Sequence, residues 1–193
     1  EMVHIPWPEF DHFDELGFYA QKVSALIPGE DPIILGVSFG GMLGVEIAKM
    51  RPVKKLFIVS SAKTRNEIPQ FGKFFRMLIT SEAMPGFLYK IPNKYTFELF
   101  GASTNEEKNM LRDIMKDSDG QLMRWAMKAI TLWRNETYPD HITHIHGDAD
   151  KIIPPERIHP THWIKGGSHI MVYNQADEIS HIIMKELSHA DNI

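Results

Sequence analysis

The 193-residue chain is expected to be an α/β protein: a mostly parallel sheet flanked by helices, with a helical insertion. Three observations lead there. Strand-like and helix-like segments alternate through the first sixty residues, which implies parallel strands joined by crossovers. A glycine-crowded corner, Gly36-Val37-Ser38-Phe39-Gly40-Gly41, separates an apolar run from a helical one. After about residue 64 the signals are helical for some seventy residues, before short strands resume.

Each element has its own justification. Val3 to Pro6 reads as a short strand stopped by Pro6 and Pro8. Leu16, Tyr19, Ala20, Val23 and Ile27 recur at helical spacing, and Pro28-Gly29 ends the helix. Pro32 opens "PIILGVS", a run too uniformly apolar to have one wet face. Met42, Val45, Ile47 and Ala48 continue as a helix up to Pro52, and Val53 to Ala62 is a further buried strand. "FGKFFRMLI" and "KNMLRDIMK" are amphipathic, with Pro85, Pro92 and Gly101 breaking the region into short helices. Gln121 to Arg134 reads as a core helix returning to the sheet. His141 to Gly147 makes a strand, "PPERI" a short helix, "THWIKG" a last strand and "ADEISHIIMKELSH" a final helix. The expected division is a core of residues 1–64 and 118–193, with 65–117 inserted as a helical segment.

Composition narrows the function. Hydrophobic residues make up 43% and charged residues 24%, ordinary for a chain that buries a core. A net charge of -4, with basic residues scattered, argues against a nucleic-acid partner. The absence of cysteine excludes disulfides, thiolate metal sites and a cysteine nucleophile. No run approaches the ~20 apolar residues that span a bilayer, and the start does not resemble a signal peptide. A cytoplasmic protein is expected, with no membrane partner and no metal or organic cofactor; oligomeric state is left open. Asn135-Glu136-Thr137 matches a glycosylation sequon but has no secretory context. The chain opens Glu1-Met2 and runs into what reads as a strand under way, which fits either a tag residue or further residues upstream.

The glycine corner has a chemical use. A serine on a cramped strand-to-helix turn points its hydroxyl out at the C-terminal edge of the sheet. Glycines at 36 and 40 remove side chains that would collide there. The helix after Ser38 turns its positive end toward the site. The Phe39 N–H is placed to receive the negative oxygen of a tetrahedral intermediate. A serine hydroxyl needs a base, and His169 follows a strand in "WIKGGSHIM". Asp148 and Asp150 follow another strand end, and a carboxylate there can hold the imidazole tautomer. All of these residues leave the same edge of an open sheet, where ligands bind.

At this point the chain resembles the α/β-hydrolase family from about Val3 to Leu187. Three blocks carry the resemblance: Gly36 to Gly41, Gly147-Asp148-Ala149-Asp150-Lys151-Ile152-Ile153-Pro154, and Gly166-Gly167-Ser168-His169. It implies a serine hydrolase acting on a small ester or related acyl compound. Ser38 would be the nucleophile, His169 the base, Asp150 the acid, Phe39 an oxyanion donor, and the helical segment a cap. Asp148 stays the weaker candidate for the acid. The chain departs from the family in having no His-Gly loop before the corner, since Gly17 and Gly29 lie in other contexts, and no counterpart of the family's first strands. A second oxyanion donor is therefore not named. The alternative is a non-catalytic protein of this fold that binds a ligand or partner. A phosphate-binding module using the glycine turn would give His169 no role.

Other conspicuous residues have blander expectations. Ser60 and Ser61 lack the glycine corner and read as turn formers. His144 and His146 share one strand face while His141 points the other way; structural histidines are favoured over a metal site. His159, His162, His181 and His189 read as loop or surface residues without matching partners. Trp125 and Trp133 have core spacing on a helix. Met77 and Met84 could line an adaptable acyl pocket, with core packing the simpler role.

Overall fold

The computed structural model describes residues 2–69 and 85–190. Four parallel strands lie in the order β1-β2-β3-β4: Ile33–Val37, Lys55–Val59, Ile142–Gly147 and His162–Ile164. Helices α1 (Leu16–Ser24) and α2 (Phe39–Met50) precede β2. Between β2 and β3 come α3 (Lys94–Phe100), α4 (Asn105–Asp117) and α5 (Gly120–Leu132); α6 (Met171–Asn174) and α7 (Ala176–Ala190) follow β4.

The predicted helices form, and the structure shows what buries and caps them. Leu16, Tyr19, Ala20 and Val23 of α1 are buried. Thr104 caps α4, its hydroxyl accepting from Glu107 N–H while the Glu107 carboxylate accepts from Thr104 N–H. Asp119 caps α5 by accepting from Gln121 and Leu122 N–H. α5 then buries Trp125 and Ala129. The stretch Phe71 to Ile79, and Met77 and Met84, lie outside the described residues.

One expected element is absent. Val3 to Pro6 lies in no strand and pairs with none. An extended run becomes a strand only by finding an edge to bond, and Pro6 and Pro8 supply no N–H for one. The residues that follow it, Trp7 to Phe10, lie on aromatic side chains instead. Trp7 stacks toward Phe39 at 5.9 Å, Phe10 meets Trp125 at 5.4 Å, and Tyr19 donates to Pro8 C=O at 2.9 Å. β2 is also shorter than expected, because Ser60 turns the chain with φ 47°.

The sheet is covered on both faces. Leu56 and Ile58 pack with α1, α2 and α5 through Tyr19, Leu43, Ile47 and Trp125. On the other face Val59, Ile145 and Ile164 meet Met171 and Ile179. A third, smaller cluster joins Phe97, Leu111 and Met115 of α3 and α4 to Ile170. At the β1 edge Ile33 and Leu35 stay exposed.

Candidate active site

The corner at Ser38 is strained as Gly36 implies, but not at Gly40, where a Cβ would meet nothing within 4 Å; the second close approach is at Gly41, whose Cβ would lie 2.4 Å from Ser61 Oγ. Ser38 sits at φ 51°, ψ -118°, a region rarely open to a residue with a side chain. A Cβ on Gly36 would lie 2.4 Å from Gly40 C=O, so strand and helix can cross only if residue 36 is glycine. Several bonds hold the strained residue. Ser38 N–H donates to Val59 C=O at 2.9 Å. Ser61 Oγ donates to Ser38 C=O at 2.6 Å, alongside Gly41 N–H at 3.0 Å. Ser61 is thus more than a turn former: it braces the corner from the neighbouring strand end.

Phe39 opens α2, so helix bonding leaves its N–H without an internal partner. Its ring meets Trp125 edge-on at 5.9 Å.

The second and third residues come from the loops after β3 and β4. Those loops pass so closely that a Cβ on Gly147 would lie 2.0 Å from Gly167 C=O. Ala149 N–H donates to Gly167 C=O at 3.0 Å, and Asp148 N–H to Ile164 C=O at 3.2 Å. The Asp148 carboxylate accepts from Gly166 N–H at 2.6 Å, holding the turn that leads to His169. It faces the backbone of that turn, not the imidazole.

Asp150 behaves differently. It is buried, and Oδ1 accepts from Ile152 N–H at 2.8 Å and Ile153 N–H at 2.9 Å. Oδ2 lies 2.8 Å from His169 Nδ1. His169 Nε2 in turn lies 2.9 Å from Ser38 Oγ, although the two residues are 131 positions apart in sequence. Burial pushes the Asp150 carboxyl up, but the His169 and Ile153 hydrogen bonds outweigh it, and its pKa lies below the ordinary value. The carboxylate is therefore ionised and points at an imidazole N–H. Asp150, His169 and Ser38 form one hydrogen-bonded chain ending on a half-buried hydroxyl.

The helical segment reaches this site. The Phe100 ring meets His169 edge-on at 5.5 Å. Glu107 accepts from Asn174 Nδ2 at 2.8 Å, and Glu106 from Tyr173 Oη at 2.8 Å, tying α4 to α6 just after His169. The Asn174 bond, with the Thr104 and Ser103 donors, holds the Glu107 carboxyl down at about 2. Phe100 carried no signal in the sequence beyond its apolar character.

The remaining histidines sort by burial. His144 and His146 are buried on one face of β3, with rings 5.3 Å apart. No group of three or more His, Cys, Asp or Glu among the described residues is arranged to hold a metal. His162 has a partner that spacing did not reveal: Nε2 lies 3.0 Å from Glu186 Oε1, which α7 brings to the start of β4. Among the described residues no helix is long and apolar enough to cross a membrane.

No protein-family model matches this sequence, and no curated protein matches it. Solved structures do match. A lipase-esterase related protein from Clostridium acetobutylicum superposes with a TM-score of 0.64 at 16% identity, over 89% of this chain and 75% of that one. An esterase from Thermogutta terrifontis gives 0.63 at 15% identity, over 92% and 73%. A meta-cleavage product hydrolase from Pseudomonas fluorescens gives 0.60 at 15% identity, over 90% and 71%. With its parallel sheet, flanking helices and serine corner, this chain has the α/β-hydrolase fold.

Proposed function

We propose that this chain hydrolyses a small ester or related acyl substrate through an acyl-enzyme on Ser38. One observation carries the reading: Ser38 Oγ, His169 and Asp150 are joined by contacts of 2.9 and 2.8 Å at the C-terminal edge of the sheet. His169 Nε2 takes the serine proton as Oγ attacks the acyl carbonyl. Asp150 Oδ2 holds Nδ1–H, which selects the tautomer whose Nε2 is free to accept, and stabilises the imidazolium that forms. The Phe39 N–H faces the developing oxyanion. His169 then returns the proton to the leaving alcohol or amine. In the second half it activates water, which releases the acid and frees Ser38. This chemistry calls on no metal or organic cofactor. The neighbouring structures described as esterases and a hydrolase lend support to this class, while the substrate itself does not follow from the fold.

The segment 65–117 is read as a cap inserted in a core of 1–64 and 118–193. The Phe100 contact with His169 and the Glu106 and Glu107 bonds to α6 support that role.

The test is labelling with a fluorophosphonate, followed by intact mass and peptide mapping. One adduct on Ser38 is expected, absent in Ser38→Ala and strongly slowed in His169→Ala. A folded protein that takes no label would favour a non-catalytic, ligand-binding role. Labelling that ignores His169 would exclude the relay.

A further inference from the structure

We infer that His146 is a positioning residue that clamps the Asp150 loop; this builds on the role proposed for Asp150. His146 is completely buried, one residue before the end of β3 and four before Asp150. Its Nε2 lies 2.9 Å from Ile153 C=O and 3.8 Å from Asp150 Oδ2. Both neighbours are acceptors, so Nε2 carries the proton. Nδ1 has no partner and is the bare nitrogen.

Ile153 is thereby gripped from two sides. Its C=O accepts from His146, and its N–H donates to Asp150 Oδ1 at 2.9 Å. With Ile152 N–H also on Oδ1, the carboxylate can rotate only by giving up two backbone bonds. That leaves Oδ2 facing His169 Nδ1 at 2.8 Å. A leucine would suit this sheet interior better if packing were the only demand, because a buried imidazole with a bare nitrogen costs free energy. The loop contact supplies the compensating role. The groups facing the pair are His144, whose ring is 5.3 Å from that of His146, Trp163 at 6.1 Å, and His169 on the far side of Asp150. Burial holds both strand histidines neutral, so the clamp is a dipolar N–H and not a charge.

The experiment is nitrogen-15 NMR of the imidazoles in the folded chain, which needs no turnover. In the wild type His146 is expected as the Nε2–H tautomer with a slowly exchanging proton. His146→Gln puts an amide nitrogen where Nε2 stands, so the Ile153 N–H should exchange with solvent as slowly as in the wild type. His146→Leu releases the loop, and exchange of the Ile153 N–H with solvent, followed in the same NMR samples, should quicken about tenfold. If the leucine variant does not fold, His146→Asn, whose amide falls short of Ile153 C=O, is compared with His146→Gln. An Nδ1–H tautomer for His146 overturns the inference. So does the same Ile153 N–H exchange with and without a donor that reaches Ile153. Fluorophosphonate labelling of wild-type Ser38 is scored separately, so a failed hydrolase reading is distinguishable from a failed clamp.

Discussion

Asp150→Asn is the substitution on which the proposed chemistry is most exposed. Two backbone N–H groups hold Oδ1, from Ile152 at 2.8 Å and Ile153 at 2.9 Å. An amide NH2 cannot accept from them, so the asparagine must leave its oxygen there. Its NH2 then takes the place of Oδ2, 2.8 Å from His169 Nδ1, and donates into that nitrogen. The imidazole proton is forced onto Nε2, where it points at Ser38 Oγ 2.9 Å away. A nitrogen that already carries a proton cannot take one from serine. The substitution also removes the charge that stabilises the imidazolium. Together these should slow acylation about 10⁴-fold, or about 5.5 kcal/mol of activation free energy. Shape and packing barely change, so stability should fall by no more than about 2 kcal/mol. Initial rates of fluorophosphonate labelling and of hydrolysis of a p-nitrophenyl ester measure the effect, with urea unfolding as the control. A folded Asp150→Asn protein within about tenfold of wild type would refute the tautomer argument.

Three further outcomes are expected. Asp148→Ala removes the carboxylate from Gly166 N–H but nothing from the imidazole. It should cost about 1 kcal/mol in urea unfolding and leave labelling within about tenfold; a collapse to the Asp150→Asn rate would mean the carboxylate roles are exchanged. His144 is pushed down to about 3, chiefly by burial, with His146 and Lys63 adding to it. Its folded pKa lies below its unfolded one, so its contribution is whole above about pH 6.5 and is lost as pH falls toward 3, as the unfolded chain binds the proton that the fold refuses. Stability should drop by about 2 kcal/mol between pH 6.5 and 5 from this residue, and the slope should flatten in a folded His144→Leu; an unchanged slope counts against it. Gly147→Ala sets a Cβ 2.0 Å from Gly167 C=O, where backbone on both sides cannot turn away. A loss of at least about 2 kcal/mol in thermal unfolding should accompany slower labelling, and a neutral substitution would show that the two loops separate easily.

Much of this protein is local, and local features are legible along the chain. Helical spacing marked α1, α2 and α5, because a 3.6-residue period is set by neighbours three and four apart. The glycines around Ser38 marked a cramped corner because only a missing Cβ permits the crossing at Gly36. Strand–helix alternation implied the parallel sheet through the handedness of crossovers. The failures have the opposite character. The run from Val3 to Pro6 has strand character but pairs with no strand, although β1 is an edge of the sheet, and pairing is not a property of one segment. Spacing did not reveal that His162 meets Glu186, or that Ser61 braces the corner.

The residues alone brought Ser38, His169 and two aspartates to one rim of a sheet, and the family resemblance favoured Asp150. Only the packed loops decided where each carboxylate lies. A contact of 2.8 Å between side chains nineteen residues apart depends on β3 and β4 being adjacent. It also depends on Gly147 and Gly167 letting the two loops touch, and on Ile152 and Ile153 fixing the free carboxylate oxygen. Sequence pattern determined which chemical groups stand at that rim, because one strand or turn is enough to place each. Hydrogen-bond distance between them is a property of four segments at once, and only the tertiary fold holds those four together.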